Sequence, residues 1–259
     1  NLGKQLDTLQ LKDCKSPHEG AEKILKKSAN INQNDWIIGF GWDHNKWYEP
    51  HFPKAEILNS LPISQPIMLN RIGGQSSWVN QKARELSGLD VTPTPPDGGN
   101  IINDCILIDN AMNPVQFVMP KPDETIVEKW IKLALEIIIP RGITNIHDAW
   151  QDPITVKVLQ QLSEAGKLPI RIYGMLGSGH PKLLKHFFRE GTFHSEKYNI
   201  RSVKAFIDGA LGSRGAALLE PYCDDRNNCG LILISDTDLK KLAQQCQDAG
   251  FQLCNHAIG

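Results

Sequence analysis

The sequence predicts an α/β protein, a partial TIM (β/α)8 barrel interrupted by an irregular α/β insertion. Three observations carry that prediction. Over residues 122–259, four short apolar segments alternate with helical ones, the pattern of parallel βαβ units. No GxGxxG follows any of the four, which argues against a doubly wound nucleotide-binding sheet. The residues able to do chemistry gather where those strands should end, and a (β/α)8 barrel keeps its active site there.

The elements follow in order. Ser16-Pro17-His18-Glu19 opens a helix, with a capping serine, proline at the first helical position and glutamate three residues after the cap. The helix should run to about Asn30. Residues 36–43 read as an apolar strand breaking into an aromatic-rich loop, and residues 66–70 as another strand. Proline and glycine make 92–99 a loop. Residues 101–119 alternate around Asp109-Asn110, which suggests a β-hairpin. A helix over 123–139 carries Ile126, Trp130, Leu133, Ala134, Ile137 and Ile138 on one face. Strands follow at 143–147, 168–176, 200–207 and 251–256. The helices between them start at Asp152-Pro153, Pro181 and Ser235.

Residues 1–30 are thus expected to begin the barrel domain. Residues 31–121 form the insertion with its hairpin, and 122–259 supply barrel strands two to five with their helices. A leading helix without its strand, an opening that lacks Met, and a strand loop ending at Gly259 read as a piece of a longer protein.

Bulk properties narrow the function classes. The chain has 259 residues, 41% hydrophobic and 22% charged, with a net charge of -1. That balance gives no electrostatic reason to expect nucleic acid or an anionic membrane as partner. No apolar run approaches the roughly 20 residues of a membrane-spanning helix. The six cysteines lie apart without a CxxC pair, which fits free thiols in a reducing, cytoplasmic compartment. Cys223 and Cys229 alone are spaced for a loop disulfide or a zinc pair. A homodimer is left open.

Four expected strand ends carry candidate residues: His147-Asp148, Gly177-Ser178-Gly179-His180, Lys204 with Asp208, and His256. Each has a plain alternative. His147-Asp148 reads equally as a self-satisfied pair, His180 as a helix start, Lys204 as a buried ion pair with Asp208 or Asp148, and His256 as a core histidine. Taken together, a lysine inside one strand and a histidine at the end of the next are placed to face one metal. A lysine amine kept neutral by burial reacts with carbon dioxide to give a carbamate, whose two oxygens can bridge divalent cations while neutral imidazoles complete the shell. A metal so held acidifies water and polarises a carbonyl. A competing reading takes Asp148 and Asp208 as the carboxylate pair of a carbohydrate-active barrel, but it leaves the strand lysine without a role.

The segment Lys204-Ala205-Phe206-Ile207-Asp208-Gly209-Ala210-Leu211-Gly212-Ser213-Arg214, with Ala217 and Glu220-Pro221-Tyr222, resembles the lysine strand of amidohydrolase family 3 in its YtcJ-like branch, whose members are often labelled metal-dependent hydrolases or exoenzyme regulatory proteins. Gly39-Phe40-Gly41-Trp42-Asp43, Trp78-Val79-Asn80, Thr94-Pro95-Pro96-Asp97-Gly98-Gly99, the run 142–149 and His256-Ala257-Ile258-Gly259 agree in order. The resemblance implies a TIM-barrel hydrolase that cleaves C–N bonds of small amide-type substrates with a divalent metal, zinc above all. Lys204 takes the place of the strand-four lysine and His256 that of the strand-five histidine. The family's HxH, strand-six histidine and strand-eight aspartate match nothing between Asn1 and Gly259.

The resemblance also implies a departure. Where the family usually reads Arg-x-Asp-Gly-His, this chain has Arg71-Ile72-Gly73-Gly74-Gln75. Gln75 hydrogen-bonds but does not titrate near neutrality, so altered specificity, reduced activity or a regulatory role follows if that histidine meets substrate in relatives. Arg71 and Trp78 alternatively pack the insertion. Arg214 is placed to clamp a carbonyl or anionic group, or to pair with Asp208 or Glu220. Gln75, Trp78, His147, Asp208 and Arg214 are therefore the candidate substrate contacts. Trp42 and Trp47 join Trp78 either as a pocket wall or as core.

Overall fold

The structure is a computed structural model that describes residues 2–90, 99–209, 211 and 215–259. The loop expected at 92–99 falls almost wholly outside the described residues, as does Arg214. The chain divides into two compact units, Asn1–Lys121 and Pro122–Gly259.

In the first unit, α1 (Leu2–Asp7) and β1 (Leu9–Gln10) precede α2 (Pro17–Ser28). The Ser16 hydroxyl accepts from the Glu19 amide at 3.2 Å, and the Glu19 carboxylate accepts from the Lys15 amide at 2.8 Å. Two otherwise orphaned donors at the helix start are thereby satisfied. β2 (Ile37–Trp42) and β3 (Ile67–Arg71) flank α3 (Ala55–Asn59), and β4 (Ser76–Val79) leads into α4 (Gln81–Ser87). Asn80 ties these pieces together, since its Oδ1 accepts from the amides of Ile67 and Ala83 while its Nδ2 donates to the Gln65 carbonyl. β5 (Gly99–Ile102), β6 (Ile106–Asp109) and α5 (Asn113–Val118) complete the unit. Its six-stranded sheet runs β1-β2-β3-β4-β6-β5, with the first three strands parallel and the rest antiparallel. Residues 2–30 lie in this unit, and β1 pairs with β2.

The hairpin turns at Asn103-Asp104, not at Asp109-Asn110. Both turn residues have positive φ, +50° and +55°, and Ile102 pairs with Ile106 across them. Asn and Asp are the non-glycine residues that best tolerate that region. Pro114 sits in the first turn of α5, where its missing N–H costs nothing.

The second unit is built from α6 (Glu124–Ile138), β7 (Asn145–Gln151), α7 (Pro153–Glu164), β8 (Arg171–Gly177), α8 (Pro181–Glu190), β9 (Phe193–His194), β10 (Tyr198–Phe206), α9 (Asp236–Asp248) and β11 (Gln252–His256). Asp123, Asp152 and Ser235 cap α6, α7 and α9 by accepting from amides three residues on, at 2.8, 2.8 and 3.1 Å. β7, β8, β10 and β11 are parallel neighbours in chain order, and short β9 pairs antiparallel with β10.

One face of this sheet carries Ile172, Leu176, Ile200, Val203 and Ala205. They are buried with Val127 and Leu135 of α6, Val156 and Leu159 of α7, Leu184 and Phe187 of α8 and Leu242 of α9. The register puts the other residues on the opposite face. Met175 pairs with Ala149 and Ser202, Gly177 with Lys204, Lys204 with Cys254, and Phe206 with His256. Paired residues in a parallel ladder point the same way, and the direction alternates along each strand.

Two bulges reset that alternation, between Ala149 and Gln151 in β7 and between Ile200 and Ser202 in β10. Trp150, inside the first, has φ +103°. All six cysteines are free thiols, and burial pushes Cys105 up to about 12 and Cys246 up to about 11. No helix among the described residues is long and apolar enough to cross a membrane.

Candidate functional site

The site builds at the carboxyl ends of β8, β10 and β11, on the sheet face away from the helices. Lys204 lies near the end of β10, and His256 ends β11. Because Lys204 pairs with Cys254 and Phe206 with His256, lysine and histidine occupy the same face of neighbouring strands, two residues apart along them. The Phe206 ring is close to both. Lys204 Nζ lies 5.3 Å from its centroid, and the His256 ring centroid is also 5.3 Å away.

Lys204 meets no carboxylate among the described residues, so neither ion pair open to it in the sequence forms. Asp148 pairs in register with Gly174, beside Ile200, and so belongs to the helix-covered face. There its Oδ2 accepts from Gln151 Nε2 at 2.9 Å, and Tyr198 donates its hydroxyl to Gln151 Oε1 at 2.5 Å. Burial, and secondarily the nearby Asp148 charge, pushes the Tyr198 phenol well above its ordinary range, so it stays a donor.

Asp208, 2% exposed, has both oxygens engaged. Its Oδ2 accepts from the amides of Ala217 at 3.0 Å and Gly259 at 2.7 Å, and its Oδ1 from that of Ile258 at 3.0 Å. The carboxylate therefore ties the end of β10 to the residues just after His256. The paired-carboxylate reading finds no pair here: one acid faces the helices and the other is saturated by backbone.

His256 Nε2 lies 3.3 Å from the Gly209 carbonyl. A carbonyl only accepts, so this contact selects the tautomer protonated on Nε2 and leaves the lone pair on Nδ1.

The Gly259 amide first, then those of Ala217 and Ile258, holds the Asp208 carboxyl below the usual carboxylate range. A depressed folded-state pKa adds stability that is present above the unfolded value of about 3.9 and is lost as pH falls through the folded one. Asp208→Asn is therefore expected to lower the urea midpoint at neutral pH, with its gap to wild type closing below about pH 4. A gap independent of pH would remove Asp208 from that role.

His147 is exposed on the same face as Lys204, its ring 4.9 Å from that of Tyr173. It is mid-strand, because β7 runs on to Gln151. His147 pairs with Tyr173 and Lys204 with Gly177, four residues further along β8, which is about 13 Å of strand. His180 caps α8 without a side-chain hydrogen bond, as expected of a helix start. In the first unit, Gln75 is exposed, while Trp78 is 1% exposed within a core that includes Trp42, Trp47 and Ile106. Arg71 pairs with Asp43 at 2.7 Å.

Two residues at the site were not singled out from sequence. Phe206 carried a signal, since it follows Lys204 by two and so shares its face. Trp150 carried none, because its placement depends on the bulge. Among the described residues, no three His, Cys, Asp or Glu side chains converge as a metal shell.

A sequence model of the amidohydrolase family matches residues 2–259. The chain is 27% identical to YtcJ of Bacillus subtilis (strain 168), covering 99% of this chain and 50% of that one. It is 26% identical to the LONG AFTER FAR-RED 3 protein of Arabidopsis thaliana, over 99% and 47%. A crystal structure of an uncharacterized metal-dependent hydrolase from Pyrococcus horikoshii superposes with a TM-score of 0.77 at 25% identity, covering all of this chain and 51% of the other. The chain thus spans about half the length of the curated relatives it matches.

Proposed function

Since this chain belongs to the amidohydrolase family, we propose that it is part of a metal-dependent hydrolase cleaving a C–N bond of a small amide-type substrate, with Lys204 and His256 as two of the metal ligands. One observation carries the reading: a lysine that meets no carboxylate among the described residues and an imidazole whose Nε2 faces the Gly209 carbonyl share one face of adjacent strands. The serial order of β7, β8, β10 and β11 supports an arc of a (β/α)8 barrel, whose active site lies at these strand ends.

The donor set fits in kind. A lysine carbamate and a neutral imidazole suit zinc, which takes oxygen and nitrogen ligands in fours. Two ligands leave that shell incomplete, and we assign the remainder to polypeptide outside residues 1–259. A divalent cation held there would supply acidified water and a polarised substrate carbonyl. Lys204 contributes a negative charge and two oxygens once carbamylated. The Gly209 carbonyl fixes the ring orientation of His256, and Asp208 holds the backbone on which that ring is mounted. Exposed His147 is a candidate substrate contact further down the face, and Gln75 and Arg214 remain candidates for binding the substrate's polar groups. Six free thiols and the absence of strong charge suit a cytoplasmic enzyme without nucleic-acid or membrane partners.

Metal analysis of the complete polypeptide is expected to find stoichiometric zinc, with a marked loss on His256→Ala. Metal-free protein with an unmodified Lys204 would overturn this reading in favour of a regulatory barrel.

A further inference from the structure

We propose that Phe206 and Trp150 form an aromatic subsite beside Lys204 and His256, which selects substrates whose scissile amide carries a flat ring. The proposal rests on the function inferred above and names its substrate class.

Phe206 is the pivot. Its neighbours on the helix side, Val203 and Ala205, are at most 1% exposed, yet Phe206 is 39% exposed on the face that carries the two candidate ligands. Its ring lies near Lys204 Nζ and the His256 ring, and a third contact is Trp150, at 5.1 Å between centroids and tilted 49°.

Trp150 reaches that position through an unfavourable backbone. A φ of +103° is rare for any residue with a side chain and rarer for a bulky one, and such outliers concentrate at functional sites. The next strand accommodates the indole with glycines. A Cβ at Gly177 would lie 2.8 Å from Trp150 Cε2, and one at Gly179 would lie 3.3 Å from Cζ2. The bulge, the left-handed Trp150 and two glycines on β8 and just beyond it thus converge on one result, an indole set against a half-exposed phenyl ring at the mouth of the candidate metal site.

Tilted rings offer edges and faces to a third ring, a preference an aliphatic group of equal size does not share. A ring resting on Phe206 places its attached carbonyl next to Lys204 and His256.

The test uses the complete polypeptide and two probes of matched size, benzamide and cyclohexanecarboxamide, with binding read by ligand-detected NMR and metal content measured on each sample. Wild type is expected to bind benzamide about fivefold more tightly than the saturated probe. Phe206→Ala and Trp150→Leu should erase that preference, and Phe206→Tyr should keep it, with bound metal unchanged throughout. Equal affinities in wild type, or a preference that survives Phe206→Ala, would overturn the proposal. Should Phe206→Ala lose its native circular dichroism, Phe206→Leu keeps the bulk and gives the same reading. Metal missing from wild type would refute the function inferred above, while the probe ratio would still decide the subsite.

Discussion

Lys204→Ala is expected to lower kcat/KM for amide hydrolysis by at least about a thousandfold, the scale on which removing the group that organises a metal removes its Lewis acidity. In metal-free protein the same change should barely alter folding stability, by less than about 1 kcal/mol. The reason is local. Lys204 pairs with no described carboxylate, Asp148 is engaged by Gln151, and Asp208 is saturated by backbone amides, so truncation strands no buried charge. Lys204→Arg sharpens the test. Arginine keeps the length and the positive charge but remains protonated and does not form the carbamate, so it should be as inactive as alanine. Activity in Lys204→Arg near the wild-type level would show that the amine acts as a simple cation, and the metal-bridging role would be lost.

The second large effect is on stability. Trp78→Ala is expected to cost about 3–5 kcal/mol, within reach of a typical domain's whole margin of about 5–15 kcal/mol. The indole is 1% exposed and lies edge-on to Trp42 and Trp47, with both centroid pairs at 6.4 Å. Its strand is central in the first sheet, paired to Leu69 on one side and Ile106 on the other. Urea unfolding followed by tryptophan fluorescence measures the loss. A stability change under about 1 kcal/mol with an altered KM would instead make Trp78 a substrate contact.

Much of the second unit was legible in the sequence because its signals are local. Asp123, Asp152 and Ser235 each cap the helix they were expected to open, as Ser16 does in the first unit. The alternation at Val203-Lys204-Ala205 places lysine opposite the buried face without any knowledge of neighbours.

What escaped reading depends on partners distant in sequence. The β7 strand continues through Asp148 and Trp150 because β8 pairs with it as far as Leu176, and no local property of Asp148-Ala149-Trp150 announces that. The bulge then decides where Trp150 points, whereas His147 and Asp148 lie before it and part to opposite faces by ordinary strand alternation. Trp78 illustrates a different limit. A tryptophan reads the same in sequence whether it lines a pocket or fills a core, and only the edge-on packing of Trp42 and Trp47 against it decides. The turn at Asn103-Asp104 was readable in principle, but Asp109-Asn110 competed for it, with Pro114 just beyond. Proline suits a helix start as well as a strand end, and tertiary context chose the helix.

The strand order of the second unit carries a consequence for biosynthesis. Each parallel strand there docks on a neighbour that left the ribosome before it: β8 on β7, β10 on β8, β11 on β10. From β8 onward each parallel strand therefore meets a partner already made, and each newly made βα step adds one fresh unpaired edge to shield from aggregation.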